Sequence, residues 1–146
     1  MGAFDAAAEL LLGTVKATAA TATAAAAAAA TADAAARLDR FERSLTAYLD
    51  TLADHPAYAR LFLVEVYAVG PEAIGRRAEL LHRIVDAVAA MLGTSSAHGR
   101  FACEVLVAAV SAMVTGPLVA EDPAALRALR APIVDLVRRA LAAHAD

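Results

Sequence analysis

Alanine occupies 43 of the 146 positions, and that single choice constrains the fold more than any motif. Alanine, leucine, arginine and glutamate are the strongest helix formers, and together they dominate the chain. The residues a sheet needs are scarce: aromatics make up 5%, Trp is absent, and there are 7 Gly and 5 Pro. With 60% of residues hydrophobic, disorder is excluded as well, since it needs low hydrophobicity and high net charge. The length suits one domain able to bury its own core. The expectation is an all-α domain spanning 1–146, with six or seven helices.

Punctuation divides the chain. From Phe4 to about Ala30 it reads as one long alanine-rich helix, weakened in propensity by Thr14, Thr18, Thr21 and Thr23. Asp33 stands at an N-cap position and opens a helix to about Ala53, with Leu38, Phe41, Leu45, Leu49 and Leu52 on one apolar stripe. Along it, Asp33/Arg37 and Asp39/Arg43 are i,i+4 acid-to-base pairs. His55-Pro56 ends that element and starts the next, which runs to Val69 and holds the nearly all-apolar LFLVEVY. Gly70-Pro71 starts a helix to about Leu92, with Leu81, Ile84, Val85, Val88 and Met91 facing inward. After the loop 93–99, Ser96 is placed to cap a helix from about Ala97 to Val119, expected to be the most buried in the fold. Glu121-Asp122-Pro123 begins a short turn, and Pro132 the last helix, with Ile133, Leu136, Val137, Ala140 and Leu141 on one stripe.

The net charge of −3 leaves no basic footprint for gripping DNA within these residues. A single cysteine, Cys103, fits a reducing compartment, and Asp5 and Glu9 stand where a secretory signal needs positive charge. A cytoplasmic protein is expected. The stretch 101–120 has the length of a membrane span, but Glu104 and the Gly116-Pro117 break argue for a soluble core helix and no membrane.

Chemistry is sparse. No nucleophile elbow or phosphate loop is present, and Cys103 reads as an inert buried thiol. Glu79 and His82 have the Glu-x-x-His spacing of di-iron bundles, followed by Asp86. The second such motif is missing, so neither a metal, a cofactor nor an enzyme is expected. His55, His98 and His144 read as solvated. Glu65, set within LFLVEVYAVG, is read as a buried carboxylate that either finds a neighbouring arginine or helix end, or stands on a ligand-pocket wall beside Phe62. Tyr48, Tyr58 and Tyr67 suit either a core margin or an apolar small-molecule pocket.

Read in order, FDAAAELLLGTVKA, the stretch LADHPAYARLFLVEVYAVGPEAIGRRAELL, the apolar FACEVLVAAVSAMVTG and the Pro-led terminal helix resemble the C-terminal domain of TetR/AcrR-type transcriptional regulators. The segment Pro56 to Ala73 carries the resemblance most specifically. The resemblance implies an effector-binding and dimerisation domain whose DNA binding resides in an N-terminal helix-turn-helix that these residues lack. Residues 1–30 would be the connector helix, 33–92 the pocket helices and 97–143 the dimerisation helices. Ligand-binding candidates are then Tyr48, Tyr58, Phe62, Glu65, Tyr67 and His82, for a small apolar or amphipathic effector. A homodimer is implied, packed through Ala108, Ala109, Ala112, Leu136, Val137 and Ala140 as a four-helix bundle. Effector binding would tilt the connector and change the spacing of two DNA-reading heads. The alternative expectation is a freestanding helical protein that binds a small ligand or poisons a full-length regulator by dimerising with it.

Overall fold

The computed structural model describes residues 34–143 without interruption, and Ala6, Glu9, Leu10 and Gly13 ahead of them. Those four positions are helical; the rest of the helix expected over 1–30, the Asp33 cap and His144 lie outside the described residues. Among the described residues the fold is all-α, without strands.

Helix α1 (Ala34–Asp54) follows its leucine stripe: Phe41, Leu45, Leu49 and Leu52 are buried, and Leu38 packs against them. Thr46 and Thr51 sit mid-helix without penalty to their hydroxyls, which donate back to Glu42 O (2.8 Å) and Ala47 O (2.7 Å). On the wet face Arg43 pairs with Asp39 at 2.9 Å. Pro56 then starts α2 (Pro56–Leu63), its fixed φ suiting a first turn.

The single helix expected over 56–69 is broken. The amides of Val64 and Glu65 both donate to the Arg60 carbonyl, at 2.8 and 3.0 Å, so the last turn of α2 widens and the chain restarts as α3 (Val66–Val69). This corrects the reading of Glu65. The widened turn places Val66 in the core at 0% exposure and leaves Glu65 exposed, with no desolvation to offset.

Gly70 has φ +123°, a conformation that glycine alone adopts cheaply, and it hands the chain to α4 (Pro71–Leu92). At the far end Gly93 is left-handed (φ 69°). Its amide donates to Ala90 O and the Thr94 amide to Ala89 O, which is the Schellman pattern that satisfies two terminal carbonyls. The Arg37 side chain of α1 lies over Gly93, so close that a Cβ there would stand 3.0 Å from its Nε.

Ser96 caps α5 (Ala97–Met113), accepting from Gly99 N at 3.0 Å. Val114, wholly buried, joins α5 to the short α6 (Thr115–Val119). Asp122 accepts from Ala125 N at 2.9 Å and caps α7 (Pro123–Ala128), and α8 (Arg130–Ala143) begins two residues before the Pro132 start expected for it.

Helix α1 is the axis of the packing: α4, α7 and α8 all lie against it, α5 pairs with α4, and α6 covers α2. Exposed ion pairs tie neighbours together. Arg127 of α7 reaches Asp50 (2.9 Å) and Asp54 (3.1 Å) on α1, and Arg60 reaches Glu121 at 3.0 Å. The expectation that 97–119 is the most buried helix is overturned, because only 28% of its most apolar window is buried. Cys103, Val107, Val110 and Ser111 face inward, whereas Phe101, Val105 and Met113 face outward. A helix apolar on every side carries no periodic signal to say which side is wet.

Candidate functional site

Three helical stripes meet at a partly open pocket of about 70 Å³. Helix α1 contributes Phe41, Ser44, Leu45 and Tyr48, spaced i, i+3, i+4 and i+7 so that all four share a face. Ile84, Ala87, Val88 and Met91 come from α4, and Leu106, Val107, Val110 and Ser111 from α5. Most of this wall is hydrocarbon, interrupted by three hydroxyls. Ser111 is the buried polar residue among the described ones. Burial pushes the Tyr48 hydroxyl up to about 12, with the positive charge of Arg77 working against it.

Of the sequence-derived ligand candidates, the structure brings Tyr48 to this cavity and scatters the others. Tyr58 is 40% exposed and stacks on His55, ring centroids 6.4 Å apart. Phe62 is a core residue at 1% exposure, away from the cavity wall. Tyr67 is 67% exposed beneath the Arg77 guanidinium, which stands 6.0 Å from its ring centroid. Glu65 and His82 are exposed, His82 on the outer side of α4. Glu79 is exposed too, and Asp86 pairs with Arg100 at 2.7 Å rather than joining a cluster. Among the described residues no group of three or more potential metal ligands forms. Sequence reasoning missed Ser44 and Ser111. Ser44 was within reach, because it lies on the same stripe as Phe41 and Tyr48.

A second concavity, about 540 Å³, separates α5 from α8. Ala102, Val105 and Ala109 line one side and Leu136, Val137 and Ala140 the other, with Arg37 and His98 at one end. Cys103 also lines it and is buried, and burial pushes its thiol up, which suits an inert role. The groove opens onto an apolar surface. Phe101 (63% exposed), Val105, Ala108, Ala112 and Met113 follow one another at helical spacing on α5, and Leu136 (59% exposed) stands across from them on α8. Of the six candidate interface residues, Ala108, Ala109, Ala112, Leu136 and Ala140 are on the surface. Val137 is the correction: at 4% exposure it belongs to the protein's own core, one helical position round from the outward-facing Leu136.

No family model matches the chain, and no curated protein or solved structure matches it either.

Proposed function

We propose that this chain is the effector-sensing and dimerisation domain of a TetR-like transcriptional regulator, acting in the cytoplasm and reading DNA through a helix-turn-helix outside these 146 residues. The observation that carries the reading is the apolar surface on α5 and α8. Soluble monomers rarely display Phe, Val, Met and Leu side chains together at half exposure or near it, and such a patch marks a contact surface. A twofold axis through it would pack α5 and α8 against the same two helices of a second copy, with Ala108, Ala109 and Ala112 permitting close approach. The pocket between α1, α4 and α5 supplies a second requirement, a mostly apolar concavity with few polar groups.

Helix Ala97–Val119 is also long and apolar enough to cross a bilayer. The Arg100, Asp86 and Glu104 ion pairs on its first turns favour the aqueous contact instead. Sedimentation equilibrium in detergent-free buffer tests the proposal: a species of twice 14.9 kDa is expected. A strict monomer at micromolar concentration, or a chain soluble only in detergent, overturns it.

A further inference from the structure

The groove between α5 and α8 differs from the smaller pocket in size and in polarity. Its volume of about 540 Å³ lies within the ~300–1,000 Å³ usual for small-molecule sites. The floor is apolar and buried, with Cys103 at 3% and Val137 at 4% exposure, and Val105 and Leu136 stand exposed at the rim. Phe101, Ala108, Ala112 and Met113, which make up most of the outward apolar surface, do not line it. A ligand on the floor therefore leaves that surface largely free for a second copy.

Charge enters at one end only. Arg37, in the first turn of α1, lies half-buried against Gly93, where a Cβ would stand 3.0 Å from its Nε and 3.1 Å from its Cζ. The turn around Gly93 satisfies its own carbonyls: Ala90 O accepts from the Gly93 amide at 3.2 Å and Ala89 O from the Thr94 amide at 3.1 Å. Among the described residues Arg37 forms no ion pair. Thr94, Ser96 and His98 line the same end, where α5 begins with the positive end of its dipole. No Asp or Glu lines the groove among the described residues. The groove is thus positive at one end and hydrocarbon along the rest.

We infer that this groove binds a single-chain aliphatic carboxylate, its carboxylate against Arg37 and its hydrocarbon laid between α5 and α8. The planar fork of a guanidinium matches the two coplanar oxygens of a carboxylate, and a half-buried setting strengthens the pair over an exposed one. Chain length follows from the dimensions. From His98 to Ala109 helix α5 rises about 16 Å. Scaled from the ~150 Å³ that holds benzene, the volume takes roughly twenty non-hydrogen atoms, and decanoate has about twelve. The site is separate from the pocket between α1, α4 and α5, and it stands or falls independently of the regulator reading.

Decanoate, titrated calorimetrically into the full chain, is the probe. Decyltrimethylammonium, the same chain under a positive head, is the comparison. Decanoate is expected to bind once per chain and at least tenfold more tightly than the cation. In Arg37→Gln that preference should vanish while weak binding of both amphiphiles stays. Ala102→Phe places a ring in the groove next to its polar end and should weaken decanoate binding tenfold or more. Circular dichroism checks the fold of both variants, and the comparison in the parent chain can refute the inference without them. Equal affinity for the two amphiphiles, a preference that survives Arg37→Gln, or decanoate binding untouched by Ala102→Phe overturns it. Co-sedimentation with phosphatidylglycerol vesicles in the absence of decanoate binding overturns it as well, since that marks a membrane surface instead.

Discussion

Replacing Phe101 by alanine isolates the contribution of the apolar surface. The ring is 63% exposed in the single chain, and a Phe side chain carries roughly 200 Å² of surface, so about 130 Å² is available to a partner. At about 25 cal/mol per Å² its full burial is worth ~3 kcal/mol per protomer, and a twofold interface uses each patch twice, giving ~6 kcal/mol. Alanine keeps its own methyl group and the facing side chains close in, so about half of that should be lost on substitution. A loss of ~3 kcal/mol weakens the dimer roughly a hundredfold. Sedimentation velocity over a concentration series measures this directly. Thermal unfolding of Phe101→Ala monomer serves as control, because an exposed ring contributes little to the protomer's own core. Unchanged association in Phe101→Ala would show that the surface on α5 is not the dimer contact, whatever the mass of the parent protein.

Other consequences are simpler. Leu49→Ala should cost about 2–5 kcal/mol in urea unfolding, since Leu49 is 1% exposed on the central helix and its removal leaves a cavity. Ser96→Ala should cost about 1 kcal/mol by removing the acceptor for the Gly99 amide, and Ser96→Asp should restore most of it. Tyr48 should titrate in ultraviolet absorbance at about 12 rather than its ordinary 10.0. Because the folded protein holds the phenol neutral more strongly than the unfolded chain does, this group adds no pH dependence below pH 10. Its ionisation then costs stability as pH rises from about 10 to about 12, and Tyr48→Phe should flatten that decline.

Where the chain alternates wet and dry faces, the sequence was readable. The Leu38–Leu52 stripe set α1 to within a residue, Gly70-Pro71 and Gly93 bounded α4, and Ser96 capped α5 as its type suggests. Where composition is apolar all round, it was not. LFLVEVY hides the break at Val64 and Glu65, because a shared carbonyl at Arg60 leaves no trace in residue type, and so Glu65 was assigned to the interior. The helix from Ala97 gives no hint that Phe101 is outside and Cys103 inside. The pocket needed tertiary structure altogether, since its wall comes from α1, α4 and α5 and forms only through their packing.

Helix α5 borders both concavities. Val107, Val110 and Ser111 form a wall of the pocket between α1, α4 and α5, and Phe101, Val105 and Ala112 form the outward apolar surface on the opposite side of the same rod. A helix is about 10 Å across and stiff along its length, so its two sides cannot be displaced independently. Whatever widens the cavity by an ångström must either push the outer surface by a comparable distance or be absorbed by α1 and α4. Those two helices are held by more neighbours than α5, which packs chiefly on α4. A change in the small pocket thus becomes a translation of the apolar surface on the far side of α5.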